Sequence, residues 1–236
     1  MSRGLTVAVL GATGAVGKPL CRLLIADGWH VTGTTRKPQR AAELRDARVE
    51  PVVVDVYDAE KLRAALLAAR PDVVIHQLTD LPPGLDPAQM EAGRARNARL
   101  REEGTRNLVA AAVGAGTKRM IAQSIGFAYA PGPLPHSETA PLDVAAHAVA
   151  SLEQQVLAAP LVGIVLRYGR FYGPGTGFDK PTPGAAVHIE AAADAARLAA
   201  TYGTRGIYNI AEPGETLSSA KANAELGWNA GFRFKG

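Results

Sequence analysis

Cysteine is nearly absent: the 236 residues hold only Cys21, so no disulfide can form within the chain, which suits a reducing compartment. Charge of one sign is scarce as well. The formal net charge is +4 with no long run of either sign, which argues against nucleic-acid and membrane-surface partners. No apolar run approaches the ~20 residues that cross a bilayer, and Met1-Ser2-Arg3-Gly4 runs straight into an apolar strand, without the regions of a signal peptide. These absences predict a cytoplasmic protein acting on a small-molecule substrate. Hydrophobic residues, at 47%, are plentiful enough for one large domain or one domain with a lobe.

The most informative stretch is Val7 to Gly17, an apolar run that breaks into Gly11, Gly14 and Gly17 and then becomes helix-like. One glycine turns the chain off a strand, one lets backbone approach a pyrophosphate, and one lets the following helix pack close to the sheet. Thr13, Ala15 and Val16 lie between them, where free N–H groups and the positive end of the helix dipole meet the phosphates. Cys21 falls on that helix and reads as a small packing residue.

Short β-rich runs alternate with alanine- and leucine-rich segments through the chain. Strands are predicted at 6–10, 30–34, 51–55, 73–76, 119–123, 162–167 and 206–210, and helices at 18–26, 38–44, 59–69, 90–115 and 143–158. Such alternation predicts an α/β fold, a doubly wound parallel sheet, because parallel neighbours need crossover helices. Residues 1–170 form the predicted Rossmann core, and 171–236 a shortened C-terminal substrate lobe whose residues 206–211 return to the sheet. Ligands bind over the carboxyl ends of such strands, so Gln77, Leu78 and Thr79, Ser124, and Tyr168, Gly169 and Phe171 become candidates. The irregular stretches 81–87 and 129–141 follow strands on that side and are expected to shape a pocket.

The second strand ends in Thr34-Thr35-Arg36-Lys37, where an NAD site usually offers a carboxylate. Two cations and the Thr35 hydroxyl stand there instead, which favours NADP(H) over NAD(H). Asp55 and Val56 suit an adenine, one through its carboxylate and one through apolar contact, although Asp55 equally suits a local cap.

With the glycine turn, Val74-Ile75-His76, the helix Glu103-Gly104-Thr105-Arg106-Asn107-Leu108 and Arg167-Tyr168-Gly169-Arg170-Phe171-Tyr172-Gly173, the chain resembles the extended short-chain dehydrogenase/reductases, the NAD(P)-dependent epimerase/dehydratase branch. The resemblance implies a tyrosine acid with a lysine four residues on, a serine at the end of the fifth strand, and a homodimer built on two of the helices. Ser124 occupies the serine position. Counting back from Glu153, the lysine position falls on Val149 and the tyrosine position on Ala145, and residues 144–153 contain neither tyrosine nor lysine. Arg101 replaces the usual asparagine three residues before Gly104 and becomes a substrate contact or a stabiliser of an ionised oxygen.

Tyr129 is the first candidate for a substitute acid, with His136 and Tyr172 as substrate contacts; His147, rotated about 200° from position 145, reads as a surface residue. The leading expectation is an atypical NADP(H)-dependent reductase of a small carbonyl or alcohol, using Ser124 with Tyr129 or water. A non-enzymatic NADP-binding partner protein and a non-redox isomerase or lyase stand as alternatives.

Overall fold

The computed structural model describes residues 4–234. Nine strands run through it: β1 Thr6–Leu10, β2 His30–Thr35, β3 Glu50–Val53, β4 Val73–His76, β5 Arg119–Ile125, β6 Val162–Tyr168, β7 Arg170–Tyr172, β8 Ala186–His188 and β9 Gly206–Ile210. The α-helices are α1 Gly17–Ala26, α2 Ala41–Asp46, α3 Ala59–Ala69, α4 Met90–Arg99, α5 Thr105–Gly114, α6 His147–Ala158, α7 Ile189–Ala199 and α8 Ala220–Leu226. Seven strands form one parallel sheet in the order β3-β2-β1-β4-β5-β6-β9, and β7 and β8 pair separately.

Each strand serves two cores because its side chains alternate between faces. Val7 and Val9 of β1 join a cluster with Leu20 and Leu24 of α1 and much of α7, whereas Ala8 and Leu10 join Leu62 of α3, Leu108 of α5 and Leu152 of α6. Full burial of each of these leucines stabilises the fold by roughly 1.5–3 kcal/mol. Cys21 is buried in the first cluster, and burial pushes its thiol up to about 12, as a packing residue requires.

The predicted strands and first five helices are present with small shifts at their ends. Two features differ. The segment predicted as one helix over 90–115 contains a π-helical turn at Leu100–Gly104 between α4 and α5. Beyond residue 170, α7 is buried along most of its length and packs into the main core, so this stretch supplies structure to the sheet as well as cavity wall.

The strand order reverses between β1 and β4, where Leu10 pairs with His76, and this opens the crevice at which α/β sheets bind ligands. His76 is buried there. Its Nδ1 accepts from the Leu78 amide at 3.2 Å, so the proton sits on Nε2, which donates to the Thr105 hydroxyl at 3.2 Å. Burial, with Arg101 nearby, holds the imidazole down to about 4 from 6.5. The unfolded chain therefore binds a proton at His76 that the native state refuses. This contribution to stability is complete above the unfolded value and is lost as pH falls toward about 4, by on the order of 3 kcal/mol. Urea unfolding should show that decline between the two values, and His76→Gln should flatten it; an equally steep decline in the variant would contradict the assignment.

Candidate active site

The turn after β1 is built by close backbone approach. Gly11 has a φ of +85°, and a Cβ there would lie 2.7 Å from the Gln77 carbonyl oxygen. A Cβ on Gly17 would lie 2.1 Å from the Gly11 carbonyl oxygen. No side chain caps α1, whose Lys18 and Leu20 amides donate to the Gly14 and Val16 carbonyls at 3.1 Å and hold the glycine turn against the helix start. Arg40 donates to the Thr13 carbonyl at 2.9 Å and braces the same loop.

One end of the crevice is lined by Thr35, Arg36, Val56, Leu78, Thr79 and Asp80. Arg36 reaches Asp80 at 3.3 Å, and Asp80 is shared with Arg96 at 3.6 Å. The Thr35 hydroxyl accepts from the Lys37 amide at 3.2 Å, which sets the turn that carries both cations. Asp55 departs from expectation: it is not among the lining residues, and its carboxylate accepts from the Tyr57 amide at 3.0 Å to shape the entry to α3.

The other end opens into a cavity of about 620 Å³ lined by Gly14, Ala15 and Val16, Gln77 and Thr79, Ser124, and Tyr168, Gly169 and Phe171. Its outer wall comes from 81–85 and 175–183, so the first irregular stretch shapes the pocket as expected. The Gln77 side-chain amide is buried beside the Tyr168 hydroxyl and makes no well-formed hydrogen bond among the described residues. That under-satisfied side chain and the glycine cradle together fit a nicotinamide dinucleotide. A separate concavity of about 530 Å³ lies among Thr6, His30, Arg48 and Glu50 at the amino ends of the strands, away from this crevice.

Residues 11–196 match a family described as NAD(P)H-binding. The chain belongs to it. A 3-diazoavenalumate denitrifying reductase from Streptomyces sp is 42% identical over 93% of this chain and 72% of that protein. Cinnamoyl-CoA reductase 1 of Oryza sativa subsp. japonica is 30% identical over 49% of this chain and 32% of its own length. The structure of UDP-glucose 4-epimerase from Thermotoga maritima with UDP-glucose superposes with a TM-score of 0.81 at 19% identity, covering 97% of this chain and 94% of that one. The Thermus thermophilus UDP-glucose 4-epimerase in complex with NAD gives 0.78 at 21%, covering 98% and 95%. At these identities the two epimerases share the fold.

Ser124, the expected serine at the end of the fifth strand, lies at the cavity but is not free. Its hydroxyl donates to Glu153 Oε1 at 2.6 Å, and Arg167 grips the same carboxylate through Nε at 2.9 Å and Nη2 at 2.6 Å. All three residues are buried. The Ser124 proton is therefore committed inward, and its oxygen can offer the cavity only an acceptor.

Several other sequence candidates are placed elsewhere. Tyr129 does not line the cavity; it donates to Asn209 Oδ1 at 2.6 Å, lies under the Arg167 guanidinium and stacks on His136 at 4.9 Å. Burial raises its pKa, the reverse of what a substitute acid needs. His136 is held beside β9 by hydrogen bonds with Thr216 and Ser218, so the second irregular stretch packs there, with its two candidates outside the cavity. Tyr172 also turns away: its hydroxyl donates to Glu212 at 2.5 Å and accepts from Arg233 at 3.2 Å. His147 is exposed, as expected, and Ala145 lies in the turn before α6, while Val149 is buried. Sequence reading missed the Glu153–Arg167 pair; a carboxylate and an arginine each placed among buried apolar neighbours was the available signal.

Removing one partner from a buried pair strands the other charge. Glu153→Gln is expected to cost about 3 to 5 kcal/mol in chemical denaturation, whereas Ser124→Ala should cost about 1 kcal/mol. Equal effects of the two changes would show that the pair is not the anchor described.

Proposed function

We propose that this protein is an NADP(H)-dependent reductase that delivers a hydride to a small diazo-substituted aromatic compound and releases dinitrogen. The observation that carries this reading is the lack, among the described residues lining the cavity, of a side chain able to give up a proton near neutral pH. The cavity has no Asp, Glu, His, Lys or Cys in its lining. Its tyrosine, Tyr168, donates to the Ala192 carbonyl at 3.1 Å, and burial raises its pKa. The Ser124 hydroxyl is engaged as a donor to Glu153.

Reduction of a carbonyl creates an alkoxide that must be protonated, and family members that do this use an acid at the site. Replacement of a diazonium group needs none. The carbon–nitrogen bond breaks with its electron pair leaving on N2, the hydride pair forms the new carbon–hydrogen bond, and charge balances without a proton. The bound cofactor supplies that hydride. The chain's own residues exclude water with the apolar wall of Leu81, Phe127, Phe171 and Phe178, while Gln77 offers an amide to the nicotinamide. The Streptomyces reductase, whose name specifies a diazo substrate and a denitrifying reduction, supports the same chemistry.

The NADP(H) preference rests on Arg36 and Lys37 at the end of β2, with no carboxylate in that turn. Arg36 exchanges Asp80 for a 2′-phosphate, which its planar fork binds more strongly. In fluorescence titrations Arg36→Ala should weaken NADPH by about 10-fold and leave NADH nearly unchanged; equal weakening of both would remove the assignment.

For the reaction, protein with NADPH deuterated at the transferring position should convert diazotised aminobenzoates or aminocinnamates to products carrying deuterium where nitrogen stood. Enzyme-dependent turnover of ordinary aldehydes, with none of any diazo compound, would replace this reading with carbonyl reduction.

A further inference from the structure

The cavity is charged in one sense only. Among the described residues that line it, the charged side chains are Arg101 and Arg170, and no carboxylate accompanies them. Arg170 is exposed and lies over the Phe127 ring at 4.6 Å, which gives it an aromatic partner at the rim. Arg101 has no such arrangement. It is half-buried, and its guanidinium makes no hydrogen bond or ion pair with any described residue.

The carboxylate that acts on Arg101 electrostatically is Glu153, whose oxygens are already taken by Ser124 and Arg167. Glu153 and Arg167 cancel, so Arg101 is left without a counter-ion of its own inside the pocket. Burial lowers the Arg101 pKa, the mark of a charge held partly out of water. Keeping a guanidinium so placed costs free energy unless something else satisfies it.

Local backbone structure also singles it out. Arg101 sits in the π-helical turn Leu100–Gly104, the one departure from α geometry between α4 and α5. Such turns accommodate an extra residue and occur often at functional sites. Asn97, one turn earlier, lines the same cavity, and its side-chain oxygen accepts from the Asp80 amide at 2.9 Å. The dinucleotide does not call on Arg101: its pyrophosphate has the glycine turn and α1, and its 2′-phosphate has Arg36 and Lys37.

We infer that Arg101 is the docking group for a carboxylate on the aromatic substrate, whose ring lies between Leu81, Phe127, Phe171 and Phe178. The guanidinium presents two parallel N–H donors that match a carboxylate and no neutral group as well. This role rests on the reductase reading in placing an aromatic substrate in the cavity, and it makes Arg101 a specificity-determining residue.

Calorimetric titration of the NADP⁺-loaded protein with matched acids and primary amides, benzoate against benzamide and cinnamate against cinnamamide, tests it. At least one acid should bind about 10- to 100-fold more tightly than its amide. Arg101→Gln should abolish that preference with NADP⁺ affinity unchanged, Arg101→Lys should restore part of it, and Arg170→Gln should keep it. The inference is overturned if no pair shows an acid preference, if Arg101→Gln retains it, or if that variant loses NADP⁺ binding instead. The readout needs no turnover. Acid preference without diazo reduction would sink the reductase reading alone, and diazo reduction without acid preference would sink the docking role alone.

Discussion

The buried carboxylate of Glu153 organises the end of the cavity that matters for chemistry. By accepting from Ser124 and from two nitrogens of Arg167 it joins β5, β6 and α6 under one charge cluster. The desolvation cost of that cluster is offset by pairing that occupies both Glu153 oxygens, while Arg167 Nη1 is left without a hydrogen bond. Two consequences follow for the cavity. Ser124 faces it without a transferable proton, and Arg101 faces it without a counter-ion. A site built in this way is poor at protonating an oxygen and well suited to holding an anion.

The glycine turn at the opposite end is independent of this cluster. Gly11 and Gly17 are required because backbone oxygens occupy the positions where their side chains would begin. Cofactor binding is therefore preserved by sterics at β1 and α1, while the chemistry beside the cofactor is set by residues of β5, α6 and the turn between α4 and α5. The two halves of the site can change separately. The chain shares the epimerase fold, with residues 175–183 forming a short wall over the cavity.

Most of the fold was legible in the chain because each central strand is an apolar run flanked by polar turns. The elements beyond residue 170 were harder. In α7 six alanines make nearly every face small and buried, so the polar face that normally betrays an amphipathic helix is missing. Strands β7 and β8 have three residues each, too few for a period to show. Most residues expected to hold the cofactor line the crevice because they follow strand ends, whereas Gly11, Thr13, Gly17 and Lys37 are not in its lining and Asp55 serves the local turn that its position also allowed. Tyr129 misled because five residues after a strand end is close in sequence but says nothing of direction: Gly126 pairs with the Tyr168 carbonyl, and the chain then turns toward β9. The π-helical turn at Arg101 has no sequence signature, since Leu100 to Glu103 are ordinary helix formers and a lone glycine, Gly104, does not specify a π turn.

The hydride delivery proposed for this site takes no proton from the protein. Its most direct test is the pre-steady-state rate of hydride transfer in ordinary water and in deuterium oxide, measured across neutral pH with NADPH and with its deuterated form. The account predicts a rate that slows with the deuterated cofactor, is unchanged by deuterium oxide and is flat with pH. A transfer rate that slows in deuterium oxide and follows the titration of a protein group would contradict it.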